Sequence, residues 1–146
     1  MKLSLIAIIC FLSIAGFSQE KASNWFTNLD EAKAWSAANN NADILMVFAG
    51  SDWCRPCIKF KNDILVNEKF LDATKTNLAI LYLDFPSKKK NKLSKEETKQ
   101  NESLAEKYNK SGAFPKIVLL ASDKAQASSI QYNGENVADF LSSLNK

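Results

Sequence analysis

The chain has 146 residues, with 19 lysine and arginine side chains, 16 aspartate and glutamate side chains and no histidine. This length suits one domain with a core of its own. The net charge of +3 is too small, and the charges are too evenly mixed, to indicate binding to nucleic acid.

The first 18 residues have the pattern of an export signal. A short basic start is followed by an apolar stretch and then by small residues before a cut at Gln19. The apolar stretch is shorter than the roughly 20 residues that a membrane-spanning helix needs. Lipidation at Cys10 is disfavoured, because bulky residues precede it and the apolar run continues after it. We therefore expect a signal peptide over residues 1–18, a single domain over residues 19–146, and a periplasmic or secreted protein.

The first half of this domain contains a predicted helix, a strand and a second helix. A capping box at residues 28–31 begins a helix that extends to about Asn39. The continuous apolar run 44–49 indicates a strand buried on both faces, and Gly50 ends it. The cysteine tract follows at once and begins the next helix. The apolar residues of this helix that we expect to face the core are Ile58, Phe60, Ile64 and Leu65.

The middle of the chain repeats this alternation. A short helix over about residues 67–74 leads to a second apolar strand over residues 78–83, and two buried strands joined by a helix indicate parallel pairing. A helix over residues 94–108 comes next. The loop before it is basic, and we expect it to be solvated, with partner docking as the alternative. Its lysines are Lys88, Lys89, Lys90 and Lys92.

The last part of the chain predicts a hairpin and a closing helix. A strand over residues 116–121, a turn over residues 122–126 and a weaker strand over residues 128–132 form the hairpin. A helix over residues 135–144 follows. A parallel half joined to an antiparallel half predicts an α/β domain with helices on both faces of one sheet.

Cys54 and Cys57 lie three residues apart at the start of a predicted helix, where neighbouring positions are about 5 to 6 Å apart and a disulfide can form. A thiol there meets the positive end of the helix dipole, which favours the thiolate that attacks disulfides. A static disulfide is disfavoured because so short a ring constrains little of the unfolded chain. A metal site is disfavoured because the chain has no histidine and no second cysteine pair. We predict a redox couple with no metal and no cofactor.

The tract WCRPC after an apolar strand, together with Phe114 and Pro115 directly before a later strand, resembles the thioredoxin family, specifically its exported, thioredoxin-like branch. The resemblance covers roughly residues 25–144. It implies a thioredoxin-like fold with a mixed central sheet of about four to five strands and helices on both faces. It also implies thiol–disulfide oxidoreductase activity.

The same resemblance assigns roles to residues around the cysteines. It implies that Cys54 is the exposed nucleophile and Cys57 the resolving thiol. Pro115 is implied to be a cis proline that faces the cysteines and leaves the backbone of Phe114 free for a substrate peptide. Trp53 is expected to flank the sulfurs as a flat apolar contact surface. The neighbouring Asp52 is expected to act as a local charge or to cap the helix.

Arg55 and Pro56, between the cysteines, are expected to tune the couple. The cation of Arg55 should favour the Cys54 thiolate and so make the couple somewhat more oxidising. Pro56 removes a backbone donor and stiffens the turn, and pairs that resemble this one usually have proline there in reductants. Cytosolic thioredoxins carry a buried aspartate in the strand before the cysteines. Here that strand has no acid, so water or another group must move the proton of the inner thiol.

The sequence therefore predicts an exported thiol–disulfide oxidoreductase, a reductant rather than an oxidant. Its expected partners are protein disulfides or thiols and a membrane-bound electron donor, because an exported cysteine pair drifts to the disulfide unless it is reduced from outside. A monomer is expected. The alternative is a thioredoxin-fold binding module whose cysteine pair is structural or binds a metal.

Overall fold

The computed structural model describes residues 23–122 and 127–145 of the 146-residue chain. The expected signal peptide over residues 1–18 and most of the predicted turn at residues 122–126 lie outside the described residues. Within the described part, no helix combines the length and the apolar character that crossing a bilayer requires.

One five-stranded mixed sheet forms the centre of the domain. Its strands are β1 (Trp25–Phe26), β2 (Asp43–Ala49), β3 (Leu78–Asp84), β4 (Lys116–Leu120) and β5 (Ser128–Ile130). They lie in the order β1, β3, β2, β4, β5. The first three are parallel, and β4 and β5 are antiparallel to their neighbours. The predicted α/β fold with a mixed sheet is confirmed, with the two-residue β1 as the one strand that the sequence did not predict.

Within the described residues, five α-helices surround the sheet. They are α1 (Leu29–Ala38), α2 (Arg55–Phe60), α3 (Glu68–Thr74), α4 (Lys95–Tyr108) and α5 (Val137–Leu144). Four of them begin after a side chain that accepts backbone N–H groups of the first turn, which the capping patterns predicted for α1 and α4. These caps are Asn28, Asn67, Ser94 and Asn136. The helix α2 continues as a π-helical turn at Lys61–Leu65, and a 3-10 turn lies at Lys89–Asn91.

The sheet is buried on both faces. The alternate residues Leu45, Val47 and Ala49 of β2 face a core made with α2, α3 and α5, which includes the two cysteines. The residues between them face a second core made with α1 and α4. This explains the continuous apolar run of β2, because a central strand covered on both faces has no polar side.

The topology brings three segments of the chain to one edge of the sheet. β2 and β3 are parallel with Ala49 opposite Asp84, so the cysteine turn and the loop after β3 leave the sheet side by side. β4 is antiparallel to β2 with Lys116 opposite Phe48, so the segment just before β4 reaches the same edge. The candidate site is built at this edge.

The prediction that Ile58 faces the core is wrong, because its side chain is 40% exposed. Phe60, Ile64 and Leu65 are fully buried, as predicted. The inward stripe of this helical segment is Cys57, Phe60 and Ile64, at spacings of three and four residues. A residue one position after Cys57 is turned about 100° away from that stripe and so points outward.

The two isoleucines of this segment allow a matched test of the core. Ile64→Ala should lower the free energy of unfolding by about 2 to 5 kcal/mol, because it leaves a cavity in a fully buried site. Ile58→Ala should change the free energy of unfolding by less than about 1 kcal/mol, because the Ile58 side chain is already partly exposed to solvent. Denaturant unfolding of the two variants measures both values. Equal losses would contradict the packing described here.

Candidate active site

Cys54 and Cys57 form a disulfide with their Cα atoms 5.2 Å apart. Cys54 is the N-cap of α2, and its own backbone N–H donates to the Gly50 carbonyl at 2.9 Å. The backbone N–H of Cys57 donates to the Cys54 Sγ at 3.3 Å. The Cys54 sulfur thus accepts the N–H group that a side-chain oxygen accepts in an ordinary N-cap. A hydrogen bond donated to a sulfur favours its negatively charged form, the thiolate. This geometry suits a Cys54 thiolate in the reduced protein.

Both cysteines are buried in the disulfide form. Cys54 is 4% exposed and Cys57 is 1% exposed, and both belong to the core on the α2 face of the sheet. The expectation that Cys54 is the exposed member of the pair is therefore not met in this form. Cys54 lies between the end of β2 and the start of α2, and its side chain packs into the core on the α2 face.

Arg55 and Pro56 form the first turn of α2 with both side chains exposed. Proline fits here because the first N–H groups of a helix have no partner inside the helix. Among the described residues, no carboxylate lies within 4.0 Å of the Arg55 guanidinium. Within the described residues, no direct ion pair therefore offsets the positive charge of Arg55 next to Cys54.

Three aromatic side chains, here called the aromatic bridge, connect the segments at this edge: Trp53, Phe85 and Phe114. The ring of Phe114 lies edge-on to Trp53 at 5.4 Å and to Phe85 at 5.3 Å between centroids. The indole N–H of Trp53 donates to the Phe85 carbonyl at 2.7 Å. The Phe114–Pro115 peptide bond is cis. Trp53 remains 49% exposed, so the bridge presents an apolar face to solvent beside the disulfide.

Gly50 is required by the position of this indole. A Cβ atom at Gly50 would overlap the six-membered ring and the N–H side of Trp53. The sequence indicated only that Gly50 ends a strand. The structure shows that its missing side chain lets Trp53 lie flat against the backbone.

Asp52 holds the loop after β3 against the cysteine turn. Its carboxylate accepts the backbone N–H of Ser87 at 2.9 Å, the backbone N–H of Lys88 at 3.0 Å and the Asn91 side-chain N–H at 2.8 Å. These hydrogen bonds, above all that from Ser87, lower the pKa of Asp52 to about 2. The interpretation of Asp52 as a helix cap is wrong, because Cys54 is the cap and the carboxylate points to the loop.

Two further contacts join the same segments. The Asp84 carboxylate accepts the Ser51 backbone N–H at 2.8 Å and the Ser51 hydroxyl at 2.6 Å. The backbone N–H of Phe85 donates to the Ala49 carbonyl at 2.8 Å. Sequence reasoning did not assign Ser51, Asp84 or Phe85 to the site. One signal was present, since residues at the carboxyl ends of neighbouring parallel strands meet at one edge.

The only acid on β2 is its first residue, Asp43, so the strand places no carboxylate near the cysteines, as the sequence indicates. Phe48, near the end of this strand, faces the second core. Asp84, on the adjacent strand, places a carboxylate at this edge in addition to that of Asp52. Tyr82, two residues earlier on β3, belongs to the core that contains the cysteines. Burial, with a smaller effect of the Asp84 charge, raises the pKa of Tyr82 to about 12. Tyr82 is therefore a neutral phenol at physiological pH.

A family model described as Thioredoxin-like matches residues 24–122. The chain belongs to the thioredoxin-like family. A protein of Chlamydia pneumoniae called disulfide bond reductase DsbH is 30% identical over 101 residues, which cover 69% of this chain and 59% of that protein. The match thus spans less than two thirds of the relative's length.

Solved structures agree with this assignment. A structure named DsbH oxidoreductase superposes with a TM-score of 0.69 at 26% identity, covering 85% of this chain and 87% of that one. A thioredoxin from Thermus thermophilus superposes with a TM-score of 0.60 at 15% identity, covering 86% of each chain. The second likeness concerns the fold alone. The thioredoxin-like resemblance and fold are confirmed.

The contacts of Asp52 predict a specific acid titration. The amide signals of Ser87 and Lys88 in ¹⁵N-resolved NMR should titrate with a midpoint near pH 2, the value to which the hydrogen bonds lower the pKa of Asp52. A depressed pKa stabilises the folded state above the unfolded value of about 3.9, and the contribution is lost as the pH falls through the folded value of about 2. Asp52→Asn should remove the titration, whereas Asp72→Asn, at an exposed carboxylate elsewhere, should preserve it. A midpoint near 3.8 would contradict the contacts.

Proposed function

We propose that this protein is a thiol–disulfide oxidoreductase that reduces disulfides of protein substrates. The observation that carries the proposal is the Cys54 sulfur at the start of α2, with the Cys57 N–H directed at it and Cys57 at disulfide distance. The name of the Chlamydia pneumoniae relative, a disulfide bond reductase, supports the direction of the reaction.

The reaction begins from the reduced pair. The Cys54 thiolate attacks one sulfur of the substrate disulfide, forms a mixed disulfide and releases the other substrate sulfur as a thiolate that takes up a proton. The Cys57 thiol loses its proton, and its thiolate attacks the Cys54 sulfur. The Cys54–Cys57 disulfide forms, the mixed disulfide breaks, and the substrate leaves as a dithiol. Two electrons pass from the cysteine pair to the substrate.

Substrate contact is proposed at the aromatic bridge and at the Phe114–Pro115 backbone. Trp53 offers an exposed flat face next to Cys54. Phe114 lies against Trp53 and directly precedes β4, so an extended substrate segment could pair with its backbone by strand addition. The contact would place a substrate disulfide over the Cys54 sulfur.

Arg55 and Pro56 are proposed to tune the reduction potential. An exposed cation beside Cys54 favours the thiolate and thus the reduced pair, which makes the couple more oxidising. For this two-electron couple a change of about 30 mV in the reduction potential corresponds to about 1.4 kcal/mol. We take this as the upper limit for the effect of one solvated charge. The charge adjusts the potential without reversing the direction of the reaction.

Export is proposed from the pattern of residues 1–18, with residues 19–146 as the mature domain. In an oxidising compartment the Cys54–Cys57 disulfide would accumulate, so each cycle needs two electrons and two protons from outside. A membrane-bound dithiol donor would supply them, and the mature protein would act as a monomer. Amino-terminal sequencing of the exported protein tests the cut, with Gln19 expected as the first residue and retention of residues 1–18 contradicting it.

Two serine variants test the reaction. With dithiothreitol supplied, the wild type should accelerate insulin reduction, and Cys54→Ser should lower the rate to that of dithiothreitol alone, because the nucleophile is lost. Reduced Cys57→Ser should accumulate a mixed disulfide with a disulfide-containing protein, detectable by mass spectrometry, because no thiol resolves it.

The two variants serve as controls for each other, since each removes one sulfur from the same buried pair. Full activity of Cys54→Ser would overturn the assignment of the nucleophile. If the reduced wild type left insulin intact and Cys57→Ser trapped nothing, the cysteine pair would be that of a binding module.

A further inference from the structure

A cleft of about 380 Å³ lies beside the active site, between the loop after β3 and the helix α4. We call it the lysine cleft. Its loop wall is formed by residues 84–89, 92 and 93, and its helix wall by Thr98, Asn101 and Glu102. Lys88, Lys89 and Lys92, on the loop wall, are exposed.

The lysine cleft combines a cationic rim with a partly apolar floor. Lys88, Lys89 and Lys92 line it, and Lys90 lies in the same loop. Within residues 23–122 and 127–145, none of these four side chains lies within 4.0 Å of a carboxylate. The floor includes the half-buried side chains Phe85, Pro86 and Leu93.

Within the described residues, the carboxylates near this rim form no direct ion pair with its lysines. Asp52 accepts hydrogen bonds from the backbone and side chains of the loop, and Asp84 accepts two from Ser51. Glu102, on the α4 wall, is the remaining carboxylate that lines the cleft. Three lysines and two carboxylates, Asp84 and Glu102, line the cleft, which leaves a net charge of +1, and within the described part of the chain the ammonium groups make no ion pair and can pair with carboxylates of a partner.

The loop is held at a fixed place relative to Cys54. Asp52 accepts the backbone N–H groups of Ser87 and Lys88, and Trp53 donates to the Phe85 carbonyl. These two side chains directly precede Cys54 in the chain. A molecule seated in the lysine cleft thus lies next to the cysteine turn rather than at an arbitrary surface of the domain.

We propose that the lysine cleft docks an acidic, partly apolar segment of the protein whose disulfide exchanges with Cys54. Carboxylates of that segment pair with Lys88, Lys89 and Lys92, and an apolar side chain covers Phe85 and Leu93. The apolar floor favours a polypeptide over inorganic phosphate, which has no apolar group to place there. This inference rests on the proposed reaction at Cys54 and adds a substrate class to it.

Three disulfide-cyclised peptides test the docking. They share one sequence except for a flanking segment that carries two glutamates, two glutamines or two lysines next to a leucine. At about 20 mM salt the glutamate peptide should be reduced with a kcat/KM about 5-fold above that of the glutamine peptide and further above that of the lysine peptide. At about 300 mM salt the ratio should fall below about 2, because salt screens exposed charges.

A matched pair of charge reversals separates the cleft from the overall charge. Lys89→Glu should abolish or invert the preference for the glutamate peptide, while its rate with a neutral small disulfide stays at the wild-type level. Lys75→Glu changes the net charge equally but lies between α3 and the start of β3, at the opposite edge of the sheet, and should keep the preference. Equal rates with all three peptides, or an equal loss in both variants, would overturn the proposal.

Direct binding distinguishes a failure of docking from a failure of the reaction. A glutamate peptide with both cysteines replaced by serine should shift the amide signals of Lys88 and Lys89 in the oxidised wild type and not in Lys89→Glu. If it binds there while no disulfide is reduced, the proposed reaction is wrong and the lysine cleft stands as a docking surface for acidic segments. If it does not bind, or only vesicles containing anionic phospholipid shift these signals, the docking proposal is wrong whatever the activity.

Discussion

The site depends on one constraint, the parallel alignment of β2 and β3 with Ala49 opposite Asp84. Because the two strands end at the same level, the cysteine turn and the loop after β3 emerge together. Three consecutive side chains then join them: Ser51 donates to Asp84, Asp52 accepts from Ser87, and Trp53 donates to the Phe85 carbonyl. Every residue from Ser51 to Cys54 is therefore held by a named contact before the helix begins.

This arrangement places two surfaces with different proposed roles next to each other: the cysteine site and the lysine cleft. The first is chemical, with the Cys54 sulfur as helix cap and an apolar aromatic face beside it. The second is electrostatic, with exposed lysines at the rim of a partly apolar cleft. The hydrogen bonds of Asp52 connect them, so the position of the lysines relative to the disulfide follows from the fold. In the proposed function, the lysine cleft adds a preference among protein disulfides to the one that the reactivity and accessibility of their sulfurs already set.

Much of this organisation could be predicted from the sequence, and the exceptions have physical causes. The apolar runs of β2 and β3 and the capping patterns of α1 and α4 predicted those elements because their signals are local. The two residues of β1 are too few to show any periodicity. The exposure of Ile58 depends on which face of a short helix meets the core. The role of Asp52 depends on a loop 35 positions away, brought near by strand pairing that no local pattern records.

The reduction potential of the Cys54–Cys57 couple tests the central claim most directly. It can be measured by equilibrating the protein with a dithiol buffer of known potential and counting free thiols by alkylation. We predict a value between that of thioredoxin, about −270 mV, and those of glutaredoxins, about −200 mV. A value near −120 mV would identify an oxidant and contradict the proposed direction. A couple that stays oxidised well below about −300 mV would be a structural disulfide and would contradict the redox cycle itself.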